Sequence, residues 1–465
     1  MVDTTAGREE TVYRIGSGAG FSGDRVDAAI PVVAEIAAHG QGGAIVFETI
    51  GERTLALGQL ARRDNPAAGY EPLLAAFLRP ILVPAAAAGI VIVGNFGCAN
   101  PPAAAALVRD LALAAGLPRL RIALVEGDDV TDVLDPATAE IWEGDRLLSH
   151  APGTLIAANA YLGARPIAEA IRAGADVVIT GRVADPALVV GPLVAHYGWD
   201  WQDWDRIAAA TLAGHLLECG AQVSGGYFAD PGFKDVPRPE AIGFPIAEVA
   251  ADGSFVITKP PGTGGRIDRA TVTEQILYEI HDPASYLTPD VTLDITQVGL
   301  HDAGADRIAV TGARGHPPPE RLKVTAGFAG DWLGEAEISY AGPNAFARAR
   351  LAADVIARRL AMRGLDLRRR IDVIGTTSAF DGDGGSLREA LPDSPADDLR
   401  VRLAVGGADR EAVAAALQEV GALYCCGPAG GGGVRTHLQP RIRTCSYLVP
   451  RALAPGRFRF FEAAP

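Results

Sequence analysis

Short, continuous apolar runs alternate with longer segments of helical spacing through the first half of the chain. Val12, Tyr13 and Ile15 open the first run, and four glycines then follow within eight residues, Gly16, Gly18, Gly20 and Gly23. Helical spacing resumes after Asp24. Ala44–Glu48, Gly89–Asn95, Leu120–Glu126, Thr154–Asn159 and Ala175–Thr180 are further apolar runs of the kind buried on both faces of a parallel sheet. Between them, Pro101–Ala115 and Arg165–Ala173 have amphipathic helical spacing, and a helix is expected from Asp203 to about Gly220. Repeated strand–helix units predict a parallel sheet with right-handed crossovers. Six such strands favour an open sheet over a closed barrel.

The texture changes after Gly225. A stretch rich in Pro, Gly and Asp precedes strand-like pieces at Ser254–Thr258, Val291–Val298, Arg307–Thr311, Leu322–Phe328 and Glu335–Tyr340. Helices are expected at Thr271–Ile280, where Thr271 and Glu274 have capping-box spacing, at Asn344–Met362 and at Asp409–Leu423. The fold expected is therefore α/β: a three-layer parallel, Rossmann-like sheet domain over 10–222, a linker over 223–243, and an α+β domain over 244–465.

Composition narrows the function. A chain of 465 residues with nearly half its positions hydrophobic is globular. A net charge of −14 without any basic block argues against nucleic acid or an anionic membrane as partner. Five cysteines without a C-x-x-C pair suggest free thiols. The polar N-terminus and the broken apolar stretch Pro80–Val93 suggest neither a leader nor a membrane span, so a cytoplasmic protein is expected.

In an open parallel sheet a ligand lies outside the carboxyl ends of the strands. Those ends supply the glycine loop, then Glu48 and Glu52, Asn95 and Asn100, Glu126 with Asp128 and Asp129, Asn159, and Arg182 with Asp185. Singly, each has a plain structural role: Asp128 can close a turn, and Asp185 can cap the helix starting at Pro186. As a set they outline a ligand rim. Gly18, Gly20 and Gly23 spell G-x-G-x-x-G, but Glu48 lies further along than a ribose-binding acid should. A dinucleotide site stays as an alternative.

His215, Glu218 and Cys219 share one helix face, without the further ligands a metal would need. Cys219 can equally pack as a small hydrophobe, and Glu218 is a candidate for acid–base work. Lys259, one of three lysines, opens K-P-P-G-T-G-G, where Gly264 and the ammonium would suit a carboxylate or phosphate. Arg435 ends a second glycine-rich stretch as a possible anion clamp. Asp381 and Asp383 lack the remaining positions of a calcium loop.

R-I-G-S-G-A-G-F-S-G-D-R, F-E-T-I-G-E-R-T, T-G-R-V-A-D, G-H-L-L-E-C-G-A-Q, T-K-P-P-G-T-G-G and G-P-A-G-G-G-G-V-R together resemble the acyclic terpene utilisation (AtuA) family, in the same order and over nearly the whole chain. The resemblance implies an intracellular enzyme of small-acid or acyl-CoA metabolism. Carried over, its motif positions are Gly18, Ser22, Asp24, Glu48, Glu52, Arg182, Asp185, Glu218 and Lys259. One departure falls on the third strand end, N-F-G-C-A-N-P here against a more usual N-A-G-G-x-N-P.

The expected function is acid–base chemistry on a small carboxylate or its CoA thioester, of lyase or hydratase type. No redox cofactor and no metal are expected, with CoA present only as part of a substrate. Glu48 is the first candidate for base, with Asp24, Glu218 and Asp185 as further catalytic candidates. Gly18, Gly20, Ser22, Asn95, Asn159, Arg182, Lys259, Gly264 and Arg435 are the substrate-binding candidates. A homo-oligomer is compatible with this reading. The alternatives are an NAD(P)-dependent oxidoreductase and a non-catalytic accessory subunit of a metabolic complex.

Overall fold

Six apolar runs of the first half form strands: β1 (Tyr13–Ala19), β2 (Gly43–Phe47), β3 (Ile90–Gly94), β4 (Ile122–Glu126), β5 (Thr154–Ala160) and β6 (Val177–Thr180). The computed structural model describes residues 12–462 apart from 143, 145, 146, 152 and 392, so residues 10 and 11 of the expected first domain lie outside the described residues. Five of the strands pair in parallel in the order β1-β2-β3-β6-β4. The run at β5 was expected in the same sheet, but it leaves this path and pairs with the strand Arg321–Ala341.

Strand β1 continues through Gly16 and Gly18, where the glycine loop was expected to begin. Both glycines are needed inside the strand. A Cβ on Gly16 would lie 2.1 Å from Val32, and one on Gly18 would lie 2.6 Å from the Phe47 ring. Val32, Val33 and Ile36 of the helix Ala29–Ala38 thus reach the same buried cluster as Ile45, Phe47, Ile92, Phe96 and Ile179.

The sheet extends beyond the residues expected for it. Strand β7 (Ile246–Val249) pairs antiparallel with β1, and β8 (Phe255–Thr258) pairs antiparallel with β7. Ile308–Thr311 and Gly299–Asp302 continue that edge, and Arg457–Phe460 closes the other edge against β4. The result is a mixed ten-stranded sheet. Contacts accordingly divide the chain differently from the composition: the described residues within Met1–Ala151, Ile156–Gly327 and Thr444–Pro465 form one unit, and those within Pro152–Leu155 and Phe328–Arg443 form the other. Texture marks the loop 227–243, whereas β7 and β8 beyond it add to a sheet already formed.

A second sheet has Arg368–Ile374, Asp398–Gly407, Arg321–Ala341 and Gly432–Pro450 as neighbours in that order, and the second unit holds the first two with residues 328–341 and 432–443 of the others. The helices Ala345–Met362 and Arg410–Cys426 cover a core that includes Ile338, Tyr340, Ile356, Leu403 and Val420. The two strands expected at Leu322–Phe328 and Glu335–Tyr340 are one continuous strand. Gly334 lies within it, where a Cβ would come 2.7 Å from Val413, which leaves room for no larger residue. In the first unit, the helix Arg269–Leu277 is capped by Asp268 with Thr271, one turn before the expected Thr271–Glu274 box. No helix among the described residues is long and apolar enough to cross a membrane.

Candidate functional site

Because β2, β3 and β6 are parallel neighbours, the residues just past their carboxyl ends meet side by side. These are Glu48, Asn95 and Arg182. Asn95 is fully buried and fixed by Thr49, whose amide and hydroxyl donate to its Oδ1 at 2.7 and 3.1 Å. Its Nδ2 then donates to Glu48 Oε1 at 3.0 Å, and the Ile50 amide donates to the same oxygen at 2.7 Å. The Arg182 guanidinium donates to the Ile50 carbonyl, lies 3.0 Å from Asp185 and stacks 3.9 Å from the centre of the Tyr161 ring. Backbone from one strand end therefore positions the cation from another.

A second set of groups supports Arg182 from behind. Asp128, after β4, accepts the Arg182 amide at 2.9 Å and Asn159 Nδ2 at 2.9 Å. Asn159 accepts from Gln59 at 3.2 Å. Glu52 accepts from the Tyr161 hydroxyl at 2.5 Å and from Lys323 at 3.0 Å. Glu52, Gln59, Asn159 and Thr325 line a small cavity together with Leu55, Ala56, Ile156, Ala157 and Gly327.

The carboxyls of this cluster are driven apart in acidity. Burial pushes Glu48 well above the ordinary range; the Asp185 charge adds to this, against Asn95 and Arg182. Burial also raises Asp185 to about 7, with Arg182 opposing it and Glu218, Glu52 and Glu279 assisting. Asp128 rises to about 6, again chiefly through burial. Glu52 goes the other way: burial would raise it, but the Tyr161 hydroxyl and the Lys323 ammonium bring it down to about 2. Burial works against the Arg182 charge, yet Asp185, Tyr161, Glu48 and Glu52 outweigh it and hold the guanidinium protonated.

Glu218 and His215 lie at the end of the helix Trp204–Glu218. His215 is completely buried, with Nε2 2.8 Å from the Gln275 carbonyl and Nδ1 3.0 Å from Glu218 Oε1. A carbonyl only accepts, so Nε2 carries a proton. Burial alone would discharge the ring, but Glu218 and the Gln275 carbonyl raise its pKa instead. Cys219 is pushed far above the ordinary thiol range by burial and by the Glu218 charge, which fits packing rather than nucleophilic attack.

The glycine-loop candidates are engaged by the protein itself. Gly18 lies under Phe47, and a Cβ on Gly20 would come within 2.3 Å of the Cys219–Gly220 backbone. Asp24 accepts the Gly20 amide at 2.8 Å and the Arg25 amide at 2.7 Å, so it holds this turn closed. Ser22 is half-buried on the same turn. Lys259 reaches the same end of the sheet, since Thr258 pairs with Ile246 and Ile246 with Gly16. It stands three strand spacings from β2, roughly 14 Å. Its ammonium pairs with Asp306 at 3.0 Å and donates to the Thr263 carbonyl at 3.3 Å. The Gly264 amide donates to the Ala241 carbonyl at 2.7 Å. Arg435 belongs to the second unit, where it is exposed on the strand Gly432–Pro450.

Asn100 caps the helix Pro101–Ala114, and Glu126 pairs with Arg459 at the far edge of the sheet. Sequence reasoning missed Tyr161 and Lys323. The scarcity of lysine was the one signal that could have singled out Lys323. Among the described residues, no three or more His, Cys, Asp or Glu side chains are arranged to hold a metal ion. No curated protein matches the chain in a sequence comparison. Residues 13–460 match the model described as "Acyclic terpene utilisation family protein AtuA", and the chain belongs to that family.

Proposed function

We propose that the protein is an enzyme of small-carboxylate or acyl-CoA metabolism, isoprenoid-like in keeping with its family, and a lyase or hydratase that uses acid–base chemistry without a redox cofactor. One observation carries this reading. Around the cations Arg182 and Lys323, Glu52 is brought down to about 2, Asp185 is raised to about 7, and burial pushes Glu48 well above the ordinary carboxylate range. Titratable groups pushed apart by their surroundings supply an acid and a base in one site. Glu48 then donates a proton when a double bond is hydrated, and acts as base in the reverse elimination. The five parallel strands with their crossover helices support the finer reading of a three-layer, Rossmann-like domain presenting these groups, and a cytoplasmic setting accompanies it.

The test is to incubate the purified protein with candidate acids and acyl-CoA esters and follow their consumption by mass spectrometry. A consumed compound whose turnover collapses in Glu48→Gln, with binding retained, supports the proposal. Turnover at the wild-type rate in that variant refutes the role of Glu48. A full panel left unconsumed counts against the enzyme reading.

A further inference from the structure

Eight buried side-chain polar atoms among the described residues lack a hydrogen-bond partner, and three of them belong to this one cluster: Arg182 Nε, Asp185 Oδ1 and Glu218 Oε2. Such atoms are costly and call for an explanation. Arg182 is 3 % and Glu218 8 % exposed, and although the Asp185 side chain is 30 % exposed its Oδ1 is buried, so bulk water does not readily satisfy these atoms. The other atoms of the same groups are in use. The Arg182 terminal nitrogens serve the Ile50 carbonyl and Asp185, and Glu218 Oε1 serves His215. Asp185 Oδ1 lies 3.0 Å from Arg182 Nη2 as an ion pair, while the hydrogen bond from that nitrogen goes to Oδ2.

The unspent capacity is one donor and two acceptors. A carboxylate or phosphate only accepts, and would face two carboxylate oxygens. An ammonium only donates, and would face the guanidinium. An oxygen that both accepts and donates suits the set: water serves both acceptors, and a hydroxyl does so once Asp185 carries a proton and donates in turn. We propose that Arg182, Asp185 and Glu218 form the subsite for the water, or the substrate hydroxyl it becomes, that a hydro-lyase adds or removes. The inference rests on the enzyme reading above and narrows it to hydration and dehydration.

In the hydration direction, the Asp185 carboxylate takes a proton from the water. The water oxygen forms the C–O bond at the β-carbon of an α,β-unsaturated acid or thioester. The π electrons move to the α-carbon, which takes the Glu48 proton. In dehydration, Glu48 removes the α-proton, the C–O bond breaks, and protonated Asp185 supplies the proton with which hydroxide leaves as water. Arg182 Nε and Glu218 Oε2 hold the oxygen in both directions, and His215 fixes Glu218.

A high-resolution crystal structure of the resting protein tests the subsite without turnover. The expected result is one ordered water within hydrogen-bond distance of Arg182 Nε and of at least one of the two carboxylate oxygens. Soaked 3-hydroxybutyrate should place its hydroxyl at that position, and soaked butyrate should leave the water there. An empty position, a metal ion with short oxygen contacts, or a hydroxy acid that leaves the water in place overturns the proposal. In solution, enoyl thioesters incubated in ¹⁸O-labelled water should give product carrying one labelled oxygen. Asp185→Asn should slow that incorporation about 10²-fold, and Glu218→Gln, which keeps the shape of the side chain, about tenfold. If thioesters are consumed without label entering, the subsite is wrong and the enzyme reading survives. If water and hydroxyl seat as expected but nothing is ever consumed, the enzyme reading fails instead.

Discussion

Two regions of the first unit attract notice for opposite reasons: the glycine-rich turn after β1 and the carboxylate cluster around Arg182. The first resembles a ligand cradle in sequence, yet its Gly20 amide is already taken by Asp24. Gly16, Gly18 and Gly20 are small because Val32, Phe47 and the Cys219–Gly220 backbone press on them, and Asp24 takes up the Gly20 amide that an anion would need. The second consists of residue types common on any surface, yet three of its buried polar atoms have no partner. Glycine spacing records close approach, whatever the approaching group is. Several unsatisfied buried polar groups brought into one cluster call for an explanation, and a bound molecule is one that the set's donors and acceptors fit.

Glu48→Gln separates the two regions most strongly. Turnover should fall by about 10²–10⁴, the usual worth of a positioned acid or base, while the thermal midpoint at neutral pH should not fall, because the raised Glu48 costs the wild type stability there. Gly20→Ala should do the reverse. Its Cβ meets backbone that cannot swing aside, so a loss of about 3 kcal/mol in denaturant unfolding is expected. An unaltered midpoint would mean that the turn is open after all.

The pH dependence of stability sharpens the contrast next. A carboxyl raised from its ordinary value binds its proton more tightly in the folded chain than in the unfolded one. Stability is then greatest near the ordinary value and falls as pH rises to the folded one. For Asp185, raised from 3.8 to about 7, the loss runs from about pH 4 to pH 7; Asp128 and the buried Asp290, which accepts the Ala164 amide, are each raised to about 6 and add to it, as does Glu48, raised well above its ordinary value. Glu52, lowered from 4.5 to about 2, costs stability only as pH falls through that lower window. Unfolding midpoints should therefore drop from about pH 4 to about pH 7, and Asp185→Asn should flatten part of that drop. An equally steep drop in the variant would remove Asp185 from the account.

The smallest effect concerns Lys259. Removing it leaves Asp306, which is 39 % exposed, without its partner, so Lys259→Ala should cost about 1–2 kcal/mol in stability and leave kcat unchanged. A raised KM with full stability would restore Lys259 as a substrate anchor.

The parallel strands and the rim at their ends were legible because both follow from local pattern: apolar runs fix the strands, and parallel pairing aligns their ends. Glu48, Asn95, Arg182 and Asp185 could be named on that basis. Tyr161 and Lys323 could not, since they reach Glu52 from 109 and 271 positions away and only the folded chain brings them there. The path of β5 and the attachment of β7 and β8 to β1 were hidden for the same reason: apolar periodicity marks a strand without naming its neighbour. Lys259 was placed at the right end of the sheet, but its pairing with Asp306 is a contact across 47 positions that no motif announces.

The central claim is that the cluster around Arg182 holds a protonated carboxyl at neutral pH, on Glu48. Difference infrared spectroscopy of the wild type against Glu48→Gln, recorded across pH 5 to pH 9, measures this directly through the carbonyl stretch of the protonated acid. The account predicts a protonated-carboxyl band at pH 7 that is present in the wild type and absent from the variant. A Glu48 that shows only carboxylate bands at pH 7, having titrated near 4.5 as an ordinary glutamate does, would contradict it.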